Sequence, residues 1–192
     1  MVKCGFNTLV PAMVFKLRIW SLYPMGELPT GGLWSNGNGV GTLTSVPGFE
    51  PFLNATTVHM DDFNVRGSAD GPYTLNAQGI LRTDDGHFLG LYGKGLLANT
   101  PHVQAIMANE TDVRPTRWGE LDTFTTWTFQ ASGPYAKLTE STFVANIRIA
   151  PSDNSNTVSY IDYRFSKVLP GPACEEGKDD DDVETVWDAG EL

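Results

Sequence analysis

Two adjacent aspartates, Asp61 and Asp62, carry the clearest chemical signal in the sequence. They follow an apolar, strand-like run, NATTVHM, and precede Phe63. Because side chains alternate between the two faces of a strand, one carboxyl can enter an aromatic-lined interior while the other meets water. Desolvation would raise the pKa of the inner carboxyl and suit it to general acid or base catalysis near neutral pH. From the pattern alone, an acid that merely faces a loop is an equal alternative.

A second group of polar residues surrounds the run LNAQGILRTDDGHFLGLYGKG, residues 75–95. The run reads as a strand over 75–82, a turn over 83–86 and a returning strand over 87–92, with Gly86 free to adopt a positive φ. Asp84 and Asp85 then serve as turn residues that hydrogen-bond the local backbone. A catalytic turn is the alternative, and we favour the hairpin corner.

Other catalytic or cofactor signatures are missing from the sequence. His59, His87 and His102 form no HxxxH or HxH pair, which a zinc site built from sequence neighbours would show. There is no GxSxG elbow and no P-loop, and the glycine-rich run TGGLWSNGNGVG is not followed by a helix that would bind phosphate. The sequence therefore predicts no metal site and no cofactor.

The residues between these groups indicate an all-β fold. Apolar residues alternate with polar ones over 15–20, 121–129, 142–149 and 161–165, and clusters rich in glycine, proline, asparagine and aspartate separate these segments. The only plausible helix is short, over 101–109. We therefore predict a single antiparallel β-barrel with a lipocalin-like, calycin-like cavity and at most one short helix.

The charge is concentrated at one end of the chain. Of 23 acids and 13 bases, residues 175–192 hold nine acids and one base, so the remaining chain carries a net charge of only −2. No basic cluster suggests a nucleic-acid partner. We predict an N-terminal extension over 1–14, a barrel domain over 15–170 and a disordered acidic tail over 171–192.

The two cysteines, Cys4 and Cys174, lie near opposite ends of the chain and share no CxxC spacing. The expectation is two free thiols in a reducing, cytoplasmic compartment. No apolar run approaches the ~20 residues of a membrane helix, so no membrane association is expected.

Five motifs, in order, are GELPTGG, ILRTDDG, LYGKG, YAKLTESTFVANIRI and VSYIDYRF. Taken together over about Phe15 to Val168, they resemble the domain of unknown function 3237 family, whose bacterial members are uncharacterised. The resemblance implies a compact antiparallel β-barrel with an internal or end-on cavity.

The family pattern maps onto individual residues. Its aspartate–aromatic pair falls on Asp62 and Phe63, which favours Asp62 as the inner carboxyl. Two arginines common in the family are replaced by Trp34 and Gln78, so the resemblance implies a flatter and more apolar ligand than in relatives. Its remaining conserved types fall on Thr83, Asp85, Gly86, Phe124, Tyr135 and Leu138.

Some fungal members of this family are similar to cyclases of aromatic polyketide pathways, among them a phenalenone-pathway enzyme. Such an enzyme closes a dihydrofuran ring by adding a phenol hydroxyl across the alkene of a prenyl group. By this resemblance Asp62 would be the acid that protonates the alkene, and Arg148 or Lys94 would stabilise the phenolate. The aromatic walls would be Trp34, Tyr92, Phe124 and Tyr135, with packing at the core or the barrel rim as the alternative for each.

The sequence thus predicts a cofactor-free hydroalkoxylating cyclase acting on a small aromatic, prenylated polyketide. A non-catalytic carrier barrel for such a metabolite is the second hypothesis. The third is an interaction module whose functional part is the acidic tail. A homodimer is compatible with each of them.

Overall fold

In the computed structural model, residues 4–30, 32–153 and 157–174 are described. Eight antiparallel strands follow one another around a closed barrel, and β8 returns to pair with β1. The predicted all-β barrel is therefore confirmed. The strands are β1 (Thr8–Glu27), β2 (Leu33–Ser45), β3 (Asn54–Arg66), β4 (Tyr73–Thr83), β5 (Phe88–Leu97), β6 (Phe124–Gln130), β7 (Phe143–Pro151) and β8 (Ser159–Leu169).

Side-chain alternation decides what each strand buries. One half of the barrel interior is filled by aromatic rings, in which Trp127 stacks on Phe165 and meets Tyr163 edge-on, both at 5.1 Å between ring centroids. Gly93 makes room for this cluster, because a Cβ at that position would lie 2.5 Å from the Trp127 ring. The dense aromatic packing leaves the other half of the barrel to a cavity.

The first strand begins earlier than the expected barrel boundary. Thr8 pairs with Leu169, so residues 8–14, which we assigned to an extension, lie in the barrel wall. A β-bulge between Pro11 and Met13 breaks the alternation there, and both Ala12 and Met13 are buried. The period-two pattern is therefore absent from the segment, although the segment is a strand.

The cysteines form a disulfide between Cys4 and Cys174, which corrects the expectation of two free thiols. Residues 170 positions apart meet because β1 and β8 are neighbours in the closed barrel, and the chain enters β1 and leaves β8 at the same end. The described part of the chain has no helix with the length and apolar character that crossing a bilayer requires.

The TDDG segment is a hairpin corner, as predicted. The Thr83 amide donates to the His87 carbonyl oxygen at 2.9 Å, and Gly86 has a φ of 90°. The Thr83 hydroxyl donates to Asp85, and this bond is the main cause that lowers the pKa of that carboxyl. The Asp85 carboxylate is therefore a structural acceptor within the turn.

Two short helices accompany the strands. The predicted helix is α1 (Pro101–Met107), whose first turn is capped where the Val103 amide donates to the Thr100 hydroxyl at 3.2 Å. A 3₁₀-helix (Gly133–Glu140) lies between β6 and β7. The acidic tail over 175–192 lies outside the described residues.

The ladder between β6 and β7 is short, and a loop completes it. Their pairing ends at Phe124 and Asn146, which leaves the rest of β7 without a β6 partner. Thr116 fills this place: its amide donates to the Ile149 carbonyl oxygen at 2.9 Å, and its hydroxyl accepts from the Ile149 amide at 2.9 Å. The loop thus covers the edge of β7 beside Ile149, whereas β1 beyond Ile19 pairs only with β2 among the described strands.

Candidate functional site

A cavity of about 200 Å³ lies inside the barrel, at the end opposite the disulfide. Helix α1 closes one side of it through Met107. Most of the wall is aliphatic, and the polar side chains are few. The lining residues are Ile19, Leu22, Pro24, Leu33, Ser35, Gly37, Asp62, Asn64, Tyr73, Leu75, Leu97, Met107, Ile147, Ile149, Ser159, Ile161 and Tyr163.

A β-bulge in β3 decides which aspartate faces this cavity. Before the bulge the odd-numbered Ala55 is buried, whereas after the register shift between Thr57 and His59 the even-numbered Met60 is buried. The even-numbered Asp62 therefore continues the inner face, opposite Gly37 of β2 and Ala77 of β4. Without the inserted residue the parity would be reversed, and Asp61 would point inward.

The apolar surroundings of Asp62 change its acidity. Burial raises the pKa of the carboxyl to about 6, although hydrogen bonds from the Asn76 amide and from Asn64 act in the opposite direction. The Asn76 amide donates to Oδ1 of Asp62 at 3.1 Å. A carboxyl in this range exists in both protonation states near neutral pH, which is what a general acid requires.

Tyr163 lies on the same cavity wall as a neutral hydrogen-bonding group. Its side chain is buried, and its ring stacks on Phe15 with 6.1 Å between centroids. Burial, with a smaller contribution from the Asp62 charge, raises the pKa of the Tyr163 hydroxyl well above its usual value. The group therefore stays protonated and can donate a hydrogen bond to a ligand oxygen.

Two further polar side chains on the wall have atoms without partners. The Asn64 amide donates from Nδ2 to the Asp62 carbonyl oxygen at 3.1 Å, while its Oδ1 is buried and accepts no hydrogen bond from the described residues. The Oγ of Ser159, a fully buried residue, also has no partner among them. Buried polar atoms are nearly always paired, so these two atoms mark places for a ligand or ordered water.

The predicted cationic residues lie outside the cavity. Arg148 is on the outer face of β7, where it pairs with Asp162 and lies 5.4 Å from the Trp118 ring centroid. Lys94 is exposed and shares the outer face with Thr126, its partner on β6. The physical reason is general: the polar face of a barrel strand is its solvent face, so a charged residue in an alternating pattern points outward.

The predicted aromatic walls are also elsewhere. The side chains of Trp34, Tyr92 and Phe124 are on the outer surface, with exposed fractions of 38%, 40% and 64%. Tyr135 is buried, but in the 3₁₀-helix, where it packs edge-on against His87 and donates to Oδ1 of Asp85 at 3.1 Å. Of the seven residues singled out from sequence, only Asp62 lines the cavity.

Sequence reasoning missed Asn64, Ser159, Tyr163 and a basic residue at the open end, Arg66. One signal was available, because Asn64 and Arg66 follow Asp62 at intervals of two and must share its face of the strand. The described residues contain no group of three or more His, Cys, Asp or Glu side chains that could hold a metal ion.

This geometry defines the class of the protein: a small closed β-barrel with an apolar end cavity and one ionisable acid on its wall. The sequence profile of the family described as protein of unknown function (DUF3237) matches residues 7–168. The chain belongs to this family. No curated protein matches it.

Several solved structures share the fold. A conserved protein of unknown function from Rhodopseudomonas palustris is 17% identical, with a TM-score of 0.69 over 85% of this chain and 99% of that one. A β-barrel-like protein from Acinetobacter baumannii is 16% identical, with a TM-score of 0.62 over 88% and 100% of the two chains. An enzyme from Penicillium herquei is 12% identical, with a TM-score of 0.51 over 86% and 97%. At these identities the similarity extends to the fold alone.

Proposed function

We propose that the protein is an enzyme that closes an oxygen ring by intramolecular hydroalkoxylation of a prenylated aromatic polyketide. The observation that carries the proposal is one protonatable carboxyl, that of Asp62 with a pKa of about 6, on the wall of an apolar cavity. The existence of an enzyme with this fold in Penicillium herquei supports a catalytic use of the barrel.

The proposed reaction balances without transfer of electrons to or from the protein. The protonated Asp62 gives its proton to the terminal carbon of a 1,1-dimethylallyl alkene, so a C–H bond forms and the adjacent carbon, which closes a five-membered ring, becomes cationic. The phenol oxygen then attacks the cation, and its proton goes to the Asp62 carboxylate, which restores the acid. Tyr163 and Asn64 take the place that we expected Arg148 or Lys94 to fill, because they can contact oxygen atoms inside the cavity.

The dimensions of the cavity support a small substrate. A volume of about 200 Å³ lies below the ~300–1,000 Å³ of common ligand pockets, so few rings fit and a prenyl chain must fold back onto its phenol. Holding the two groups in contact lowers the entropic cost of ring closure. Aliphatic residues around Asp62 also exclude water that would capture the carbocation.

The experiment is turnover of 2-(2-methylbut-3-en-2-yl)-1-naphthol by the full chain at pH 5.5, with the dihydrofuran product measured by chromatography and mass spectrometry. Asp62→Asn keeps the side-chain shape but holds no transferable acid proton, so we expect the rate to fall ~10²–10⁴-fold while the naphthol still binds. Asp61→Asn, on the outer face, is the matched control. Equal rates for wild type and Asp62→Asn would refute the proposal.

A non-catalytic carrier is the second candidate function. The unpaired Oδ1 of Asn64 and Oγ of Ser159 favour it, because such atoms on the cavity wall can bind a polar ligand without any chemical step. Tight binding of the prenylated naphthol that never alters it would decide for the carrier. The third hypothesis concerns the tail over 175–192, outside the described residues, and deletion of that segment tests it.

A further inference from the structure

Three polar side chains form a line along the inner face of β3. Asp62, Asn64 and Arg66 occupy alternate positions at the end of the strand, after its bulge. The Cα atoms of same-face residues lie ~6.6 Å apart along a strand, so the line spans ~13 Å between the Cα atoms of Asp62 and Arg66. The rest of the cavity wall is mainly aliphatic.

Register places Arg66 at the mouth of the cavity. It lies opposite Leu33 on β2 and Tyr73 on β4, and both of these residues line the cavity. Directly opposed residues in antiparallel strands present their side chains on the same face. The guanidinium carbon accordingly lies 5.5 Å from the Tyr73 ring centroid, and Nη1 donates to the Tyr73 hydroxyl at 3.4 Å.

Arg66 has unused binding capacity. Its Nε is buried without an acceptor, and no carboxylate of the described chain forms an ion pair with it. A partly buried guanidinium without a counter-charge is suited to an incoming carboxylate, which it can bind with two parallel hydrogen bonds. The mouth of the cavity therefore offers a cationic donor.

Asn64 offers the complementary acceptor. Because Nδ2 donates to the Asp62 carbonyl oxygen, the orientation of the amide is determined and Oδ1 is the atom left without a partner. That oxygen needs a donor such as a hydroxyl. The two neighbouring positions thus require an anionic acceptor at Arg66 and a hydroxyl donor at Asn64.

We propose that the ligand is an aromatic hydroxy acid in which the carboxylate and the hydroxyl are too far apart to hydrogen-bond each other, at a separation comparable with the ~6.6 Å between same-face residues of β3. The carboxylate binds Arg66, the hydroxyl donates to Oδ1 of Asn64, and the remaining rings lie against the aliphatic wall toward Asp62. This inference deepens the proposed function by naming the substrate class of the same cavity. It also qualifies the expectation of a flatter and more apolar ligand than in relatives, because Arg66 supplies a charge that neither Trp34 nor Gln78 provides.

The test is titration calorimetry of the full chain at pH 5.5 with 7-hydroxy-2-naphthoate, 2-naphthoate and 2-naphthol. The first probe has both groups, the second lacks the hydroxyl and the third lacks the carboxylate. We expect wild type to bind 7-hydroxy-2-naphthoate at least about tenfold more tightly than either of the others, a difference of about 1.4 kcal/mol.

Variants assign each preference to a residue. Arg66→Met should abolish the preference for the acid over 2-naphthol and leave the 2-naphthol affinity within about twofold of wild type. Arg66→Lys should retain part of the preference, because it keeps the charge without the planar fork. Asn64→Leu should remove the advantage of 7-hydroxy-2-naphthoate over 2-naphthoate. Arg82→Met, at an exposed position of β4, is the matched control and should change nothing.

Several results would overturn the inference. Wild type could bind 2-naphthol as tightly as the hydroxy acid, or show no saturable binding of the acid. Arg66→Met could affect all three probes equally, or no more than Arg82→Met does. The wild-type comparison stands even where a variant does not fold. Failure here leaves the proposed function intact, since that proposal is tested by turnover of a neutral naphthol and depends on Asp62.

Discussion

Asp61 and Asp62 are adjacent in the chain and lie on opposite sides of the barrel wall. Asp61 contacts His59 on the outer face, with 2.6 Å between Oδ2 and Nε2, whereas Asp62 lines the cavity. The β3 bulge produces this division, because it determines which parity faces inward. The chemistry of the cavity therefore depends on one inserted residue.

Replacing Asp62 should change how stability depends on pH. Its pKa is about 6 in the folded chain against 3.8 for the ordinary group, so between these values the native state holds a proton that the unfolded chain has released. The free energy of unfolding of wild type therefore falls as pH rises through this window. The Asp62→Asn variant does not lose stability in this way. Its free energy of unfolding relative to wild type should therefore increase with pH, by at most about 3 kcal/mol above pH 6. Urea unfolding at pH 4 and pH 8 measures it, and a difference between the two proteins that stays constant with pH would contradict the assignment.

The rate of ring closure should follow the protonated fraction of Asp62. Above pH 6 the rate should fall about tenfold per pH unit, since only the acid form can protonate the alkene. Tyr163→Phe should leave this profile unchanged, because the tyrosine stays neutral throughout the range, but should lower the turnover rate by about tenfold. Its ring packing against Trp127 is retained, so the stability loss should be about 1 kcal/mol or less. A rate that rises above pH 6 would indicate a base in place of an acid.

Gly37→Ala should reduce the cavity without disturbing the barrel. The new Cβ would lie 3.7 Å from Ile19 and 3.9 Å from Leu22, which is ordinary van der Waals contact. We expect the free energy of unfolding to stay level or rise by about 0.5–1 kcal/mol, because alanine loses less conformational entropy than glycine. Affinity for 2-naphthol should fall, as measured by calorimetry.

A contrasting substitution is Gly79→Ala, whose Cβ would lie 2.4 Å from the His59 carbonyl oxygen and should destabilise the fold. Unchanged naphthol affinity in Gly37→Ala would show that the ligand does not reach the part of the wall beside Asp62.

Reducing the disulfide should lower stability without altering the cavity. Loss of the Cys4–Cys174 bond removes a covalent constraint on the unfolded chain and should cost about 2–5 kcal/mol. Urea unfolding of Cys174→Ser, and of wild type with a phosphine reductant, measures this. Because the bond is at the other end of the barrel, 2-naphthol should bind the reduced protein with wild-type affinity. If reduction weakened binding as well as stability, the two ends of the barrel would not have separate roles.

Alternation of residue types was enough to predict several strands, the hairpin at TDDG and the barrel class, because these depend on local periodicity and turn chemistry. It did not predict the start of β1 or the glycine-rich β2, where the alternation is absent. It was not enough to predict which side chains point into the barrel after a bulge, so Asp61 and Asp62 remained alternatives. Arg148 or Lys94 was expected to stabilise the phenolate, although each lies on the polar, and hence outer, face of its strand. The disulfide was missed because Cys4 and Cys174 meet only through closure of the barrel, a relationship that no local pattern contains.

The short ladder between β6 and β7 affects how a ligand can enter the cavity. Ile149 of β7 lines the cavity and has no strand partner on its β6 side. A few hydrogen bonds from Thr116, a loop residue, replace the ladder there. A stretch of wall secured in this way opens at lower cost than a continuous ladder, so we expect the amide of Ile149 to exchange its hydrogen faster than those of the aromatic half. We therefore expect this seam to give a ligand a second route into the cavity, besides the mouth at Arg66.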